Sequence, residues 1–337
     1  MNPVMKRTLR IAGLAVLLVL ILCLTAQAAD AASYKRITLE EDWDNQRVKV
    51  GNRYFWMEGD DLQISVNGGA VLYSSTSREG DGKEIFRIDD LSTYDRINGV
   101  MVTDGSKIYF AVSDGQNDVI YSSNADGTKL KKIKTLKPTE SERESTYMPY
   151  YEMVSVYNGR LYVAKRSSMD PAHHCLRSIN LETGKITTHV KNCDVQWTSG
   201  SSRYIYYKKH NGGGPNDTTL RVYDSKKKKN YTVTTTLGAG AIGTYDGKMY
   251  YYKNVTGDDG IPRMKVYRCT YTGKEDKLVF TLKYGSYNFR SGSRIYCTAS
   301  GEYFVPCYYS LKSGKMYNIY QEELISAHTK WQNAGAN

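Results

Sequence analysis

The sequence predicts an all-β fold: a β-propeller of four-stranded antiparallel blades. Three observations predict it. A short phrase recurs six times, a strand–turn–strand phrase follows each recurrence, and helical periodicity is poor except in "PTESERES" and after Gln321. The first phrase is a turn, a basic or polar residue, an apolar residue and an aromatic. It falls at Tyr73 ("NGGAVLY"), Tyr109 ("DGSKIYF"), Tyr162 ("NGRLYV"), Tyr206 ("SSRYIYY"), Tyr250 ("DGKMYYY") and Tyr296 ("SGSRIYC"), at spacings of 36, 53, 44, 44 and 46 residues.

Each phrase is read as the second strand, B, of a unit A-B-C-D. Strand A is a short apolar run before it, such as "GVMVT", "EMVSVY" or "AIGTY". Strands C and D come from the second phrases, among them "VIYSSNADGTKLKKI", "TLRVYDSKKKKNYTV" and "CYYSLKSGKMYNI", whose Asp, Asn, Gly and Lys supply turn chemistry. A four-stranded unit of about 45 residues has the size of a propeller blade. A lone sheet leaves one face bare, and radial packing covers it. Six units fit between Leu62 and Tyr320, with "KMYNIY" as the last strand. Residues 29–58 are expected to add strands that close the ring, residues 59–321 to form the propeller and residues 322–337 a short polar tail; a seventh, split blade is the alternative.

The N-terminus has its own pattern. Lys6, Arg7 and Arg10 precede an apolar run from Ile11 to Leu24, and Ala26-Gln27-Ala28 follows. Charged, apolar and small-residue regions in that order predict a signal peptide over residues 1–28. The run is short against the ~20 residues of a membrane span; an uncleaved anchor is the alternative. Cys23 follows Leu22, where a lipoprotein signal carries a small residue. The expectation is a protein secreted or held at the cell surface. Without the three signal cations the formal charge falls from +11 to +8, and the densest basic cluster is Lys226–Lys229. Thirty Tyr against six Phe suit strands with a wet face.

The stretch "IYSSNADGTKLKKI" after "GSKIYF", with Tyr121, Asn124, Asp126, Gly127 and Lys131, resembles the exported TolB-like six-bladed propellers. It is most similar to a domain-of-unknown-function family of Gram-positive bacteria, described by similarity to the propeller of the lipoprotein-receptor-related proteins. The resemblance implies the fold and export; it carries over no catalytic residue. The receptor YWTD phrase, the WD40 repeats and the closing Trp of a sialidase Asp box are all missing from the sequence.

Recognisable chemistry is sparse. Cys297 and Cys307 flank the B–C hairpin of the last unit, and Cys175 and Cys193 flank the C–D hairpin of the third, so both pairs are disulfide candidates in an oxidising location. Cys269 is left over, and five reduced, buried thiols are the alternative. His173-His174-Cys175 lacks a second pair with zinc-ligand spacing, so no metal is expected. "HNGGGPND" lacks the Lys and following helix of a phosphate loop, and no cofactor motif is visible. Neither Gly-x-Ser-x-Gly nor His-Glu-x-x-His occurs.

Topology nonetheless singles out a face. In an A-B-C-D unit the B–C and D–A connections share one end. They differ from unit to unit, and variable loops on a rigid scaffold are where binding sits. That end should gather Tyr147, Tyr150, Tyr151, His173, His174, Lys208, His210, Asp258, Asp259, Tyr303 and Phe304. Aromatics among mixed charges suit a sugar or a peptide segment. The expected function is non-catalytic binding or scaffolding, with an extracellular protein or cell-surface polysaccharide as partner and the protein a monomer; nucleic acid and, after signal cleavage, membrane are excluded. A glycan-active enzyme with carboxylates at the channel is the alternative. Drift in loop length alone would leave no binding face.

Overall fold

The computed structural model describes residues 35–38, 48–50, 52–58, 70–77, 80–88, 95–97, 100–114, 117–143, 149–166, 173–199, 202–212, 217–300, 304–319 and 327–328. The expected signal peptide, residues 1–28, lies outside them. So does the expected polar tail, apart from residues 327–328.

Six antiparallel sheets follow one another along the chain as a six-bladed β-propeller. Blade 1 is β2 (Val48–Val50), β3 (Arg53–Glu58), β4 (Ala70–Ser75) and β5 (Lys83–Ile88). In blade 2, strand A is split into β6 (Asp95–Ile97) and β7 (Val100–Thr103); β8 (Lys107–Asp114), β9 (Asp118–Asn124) and β10 (Lys131–Leu136) complete it. The first strand, β1 (Lys35–Thr38), pairs with β7. Blade 3 is β11 (Tyr150–Tyr157), β12 (Arg160–Arg166), β13 (Cys175–Asn180) and β14 (Ile186–Lys191). Blade 4 is β15 (Cys193–Thr198), β16 (Tyr204–His210), β17 (Thr218–Asp224) and β18 (Lys229–Thr234). Blade 5 is β19 (Gly240–Tyr245), β20 (Lys248–Thr256), β21 (Pro262–Cys269) and β22 (Lys277–Lys283). Blade 6 is β23 (Gly285–Ser291), β24 (Arg294–Ser300), β25 (Phe304–Ser310) and β26 (Lys315–Asn318). The polar "PTESERES" segment contains one helical turn, α1 (Glu140–Arg143).

Tyr109, Tyr162, Tyr206, Tyr250 and Tyr296 all lie on strand B of their blades. Tyr73 does not. It sits on β4, the third strand, opposite Trp56 of β3. Blade 1 therefore starts eleven residues before the boundary expected at residue 59. Among the described residues β2 and β3 pair with one another and with β4, not with β26. The reason is that "GNRYFW" is itself a turn–basic–aromatic phrase, with Arg53 where the other blades carry Lys107 and Arg160.

Apolar clusters lie between successive blades. Blade 1 gives Phe55 and Leu72 to Met101, Ile108 and Phe110 of blade 2. Blade 3 turns Leu161 and Val163 toward blade 2, and Tyr162 and Leu176 toward blade 4. Blade 4 meets blade 5 through Tyr206 and Val222, and blade 5 meets blade 6 through Met264 and Val266. Strands with both faces packed are what radial blades require. The tyrosines thus serve the dry interfaces rather than a wet face. Tyr162, Tyr206, Tyr207, Tyr223 and Tyr251 are among the largest fully buried side chains. Their hydroxyls find partners at the edges, as burial of a phenol requires: Tyr206 donates to Tyr271 O (3.0 Å), Tyr207 to Asn230 Oδ1 (2.9 Å) and Tyr251 to Asp276 Oδ1 (2.8 Å).

The turns between C and D reach the neighbouring blade. Gly273 holds φ +86°, and a Cβ there would lie 2.6 Å from Thr232 O and Val233 Cα on the backbone of β18. Gly247 has φ +70° with nothing within 4 Å. Gly247→Ala should therefore cost about 1 kcal/mol, the left-handed strain alone. Gly273→Ala adds a backbone collision between blades and should cost about 3 kcal/mol. Urea unfolding of both variants checks this; equal losses would show that the turn does not pin blade 5 to blade 4.

Candidate functional site at the variable-loop end

The expected site residues do not form one patch. Tyr147 and Tyr303 lie outside the described residues, and Phe304 is described only as the first residue of β25. Tyr151 belongs to the core, 4 % exposed, with its amide donating to Asp118 Oδ2 (2.6 Å) and its hydroxyl accepting from Arg177 Nη1 (2.9 Å). His174 and His210 are buried too. Tyr150 and Lys208 are half-buried, while His173, Asp258 and Asp259 are exposed. For Tyr150 and Tyr151 the alternating pleat explains the split: neighbours on a strand face opposite sides, and Tyr151 enters the interface between blades. The loop "STSREGDGK" joins β4 to β5 and so lies at the opposite end.

The disulfide candidates are unbridged in this structure. Cys175, Cys193, Cys269, Cys297 and Cys307 are all buried free thiols. Cys297 and Cys307 do stand opposite one another in the β24–β25 register, but each Sγ points to a backbone carbonyl, Cys297 to Ile295 O (3.8 Å) and Cys307 to Cys297 O (3.5 Å). Cys193 is not the end of blade 3's hairpin, which stops at Lys191; it opens blade 4, with Sγ on Val190 O (3.8 Å). Burial pushes the Cys193 and Cys269 thiols up to about 12, so neither is a ready nucleophile.

One concave feature lies at the variable-loop end, between blades 5 and 6. A cleft of about 290 Å³ is lined by Tyr252, Asn254, Thr256, Arg263, Ser286 and Tyr287, among others. Tyr252 stacks on Tyr287 across the blade boundary, ring centroids 5.2 Å apart. Gly240 makes this possible: a Cβ there would fall 2.5 Å from the Tyr252 ring. Arg263 is aimed by Asp259, which takes both of its terminal nitrogens; Arg263 Nη1 also donates to Ile261 O (3.0 Å). The "TGDDGI" loop is thus the buttress of a cleft wall. Burial raises the Tyr252 and Tyr287 phenols, which stay protonated donors at neutral pH.

Two carboxylates do converge, at the boundary of blades 3 and 4. Arg166 donates to Glu152 Oε2 through Nε (3.1 Å) and Nη2 (2.9 Å), and to Asp194 Oδ1 through Nη1 (2.5 Å). His174 Nδ1 accepts from the same Nη1 (3.2 Å). Burial opposes the Arg166 charge, but the two carboxylates hold its pKa above the usual value. Glu152 lies on strand A of blade 3 and Asp194 on strand A of blade 4, so the guanidinium ties two blades together. Among the described residues no group of three His, Cys, Asp or Glu side chains is placed to hold a metal.

Deeper in that boundary His189 lies between Ser178 Oγ (2.7 Å) and Tyr223 Oη (2.8 Å). Burial pushes its pKa down to about 4, with Arg160 and Lys228 acting in the same direction. The unfolded chain takes up this proton near pH 6.5 and the folded chain only near 4. The stability that neutral His189 supports is complete above about pH 6.5 and is lost as pH falls from there to 4. His189→Gln should flatten that part of the curve, measured as urea midpoints at pH 7.5 and 4.5; an unchanged slope would remove His189 from the acid response.

No protein-family model matches the chain, and no curated protein matches its sequence. Solved structures do. An oligogalacturonate lyase in complex with manganese aligns at TM-score 0.50 and 13 % identity, over 85 % of this chain and 78 % of the lyase. A prolyl endopeptidase aligns at TM-score 0.44 and 12 % identity over 87 % of this chain, and TolB from Acinetobacter baumannii at 0.41 and 11 % over 86 %. This chain spans about half the length of the endopeptidase, 51 %, and 64 % of TolB. At these identities the likeness concerns the fold alone: the chain shares the β-propeller fold.

Proposed function

We propose that the protein is an exported, non-catalytic binding or scaffold propeller that takes a neutral sugar unit of a cell-surface polysaccharide, or a comparable group on an extracellular protein, in the cleft between blades 5 and 6. This extends the sequence resemblance to exported TolB-like propellers. The observation that carries it is the cleft's make-up: a stacked tyrosine pair beside Asn254, Thr256, Ser286 and a buttressed Arg263. Aromatic faces with a few fixed polar groups suit a sugar ring. The volume, about 290 Å³, is near the lower limit of small-molecule sites. Each B–C connection, counted with the first residue of strand C, carries net negative charge, which disfavours an anionic ligand.

The enzyme alternative rests on Glu152 and Asp194. Both carboxylates are occupied by Arg166, which gives them a structural task, and a glycosidase pair must instead keep one acid free to donate its proton.

The test is binding of neutral oligosaccharides by calorimetry. Asn254→Ala and Arg263→Ala should each weaken binding about tenfold or more with the fold intact by circular dichroism, because each deletes a polar contact to the ligand. Undiminished binding in both variants would put the site elsewhere. Release of cleaved sugar, abolished by Glu152→Gln or Asp194→Asn, would replace the binding reading with the enzyme.

A further inference from the structure

The charge of this chain is divided between the two ends of its propeller. Strand B begins with, or directly after, a cation in every blade: Arg53, Lys107, Arg160, Arg203, Lys248 and Arg294. All six therefore stand at the end formed by the A–B and C–D turns. The C–D turns add more, above all Lys226–Lys229 between β17 and β18. Counting each turn with the first residue of the strand it leads into, the A–B turns contribute an excess of four cations and the C–D turns an excess of seven, eleven in all. The turns at this end are thus net cationic, while each B–C connection at the other end is net acidic.

Several acids on the cationic face are engaged in its own turns, while Glu275 pairs with Lys248 (3.2 Å). Asp104 Oδ1 accepts the amides of Ser106 (2.9 Å) and Lys107 (2.8 Å), and Asp126 Oδ1 accepts the amide of Thr128 (2.9 Å). Asp224 accepts Arg203 through both oxygens (3.0 and 2.9 Å) together with the Lys226 and Lys227 amides. These carboxylates shape the turns, and the outward-facing charge is that of the lysines. Lys107 and Arg294 are exposed, and so is Leu130 of the blade 2 C–D turn, at 43 %.

We infer that this cationic end is a docking face for an anionic lipid bilayer. Two observations favour a planar partner over a linear polyanion. Every blade places a strand B cation at this end, and the largest excess lies on two separate blades, 4 and 6, which makes a broad face rather than one stripe and fits a flat lattice of headgroups. The chain also enters the propeller at this end: Lys35 pairs with Thr103, the last residue of β7 before the A–B turn. The apolar run that ends at Leu24 is separated from Lys35 by only ten residues. A chain held at a membrane by that run, during export or after it, has its cationic end tethered nearest the headgroups. This inference is independent of the cleft, which lies at the other end.

The test measures partition of the full chain between buffer and vesicles, as the ratio for phosphatidylglycerol/phosphatidylcholine vesicles over pure phosphatidylcholine. The ratio cancels any contribution of the apolar run itself. It should exceed ten at 50 mM salt and fall toward one at 500 mM, as screened charge requires. A triple variant, Lys226→Gln, Lys227→Gln and Lys229→Gln, should lower it at least threefold. A control triple with the same loss of charge at the acidic end, Lys137→Gln, Lys191→Gln and Lys283→Gln, should leave it unchanged. A ratio near one for the unaltered protein, equal loss in both triples, or binding to soluble polyphosphate without preference for anionic vesicles would each overturn the inference, the last in favour of a linear polyanion.

Discussion

Tyr206→Ala should destabilise the protein by about 4 kcal/mol, the cost of removing a large aromatic from a packed core. Tyr206 is fully buried and lies in the cluster shared by Val222 of blade 4 with Met249 and Tyr251 of blade 5. The site has little means of collapse, because both walls are pleated sheets fixed by their own ladders. The hydroxyl crosses to Tyr271 O (3.0 Å) in the C–D turn of blade 5, so Tyr206→Phe should cost only about 1 kcal/mol, one hydrogen bond with its carbonyl left behind. The measurement is the urea midpoint at unchanged slope. Equal losses for Phe and Ala would mean that the hydroxyl, not the ring, joins the blades.

The blade rhythm was legible because the same residue types return at one register. In blades 2 to 6 the repeated tyrosine is on strand B, the turn before it holds a residue at positive φ (Gly105, Asn158, Ser202, Gly247 and Gly292), and a cation follows. Blade 1 broke the rhythm for a physical reason. Its B–C connection, residues 59–69, ends in Asn67-Gly68-Gly69, which imitates the A–B turn of the other blades, so Tyr73 takes the place that Phe55 holds. The interval of 36 residues before Tyr109, against 44 to 53 elsewhere, was the sign of a misplaced strand.

The candidate cleft was less legible. Asp258 and Asp259 were visible as a loop, but Tyr252 and Tyr287 belong to different blades, and only packing makes them neighbours. Gly240 had no pattern to announce that it spares room for a ring. Tyr151, His174 and His210 looked like loop-face residues because connection ends are easier to place than pleat direction. A shift of one position along a strand moves a side chain from a loop rim into an interface between blades. Charge segregation was hidden for a related reason: it needs strand direction, and a net charge has none.

Arg166→Ala should lower stability by about 3 kcal/mol, the lower end of what breaking a buried ion pair costs. The discount reflects exposure: Arg166 and Glu152 each keep 18 % of their side-chain surface and Asp194 keeps 23 %, so water screens part of the imbalance. The loss arises less from the attraction itself than from two carboxylates left facing one another at a boundary that the guanidinium bridged. His174 would lose the donor at its Nδ1 as well. The combination Arg166→Met, Glu152→Gln and Asp194→Asn should therefore recover most of the stability, since it removes charge from all three positions while keeping their volume. Recovery measured by urea unfolding would assign Glu152 and Asp194 to holding blade 3 against blade 4. A combination no more stable than Arg166→Ala would instead show that the guanidinium acts by packing its stem between the blades, and that the paired carboxylates contribute nothing to holding them together.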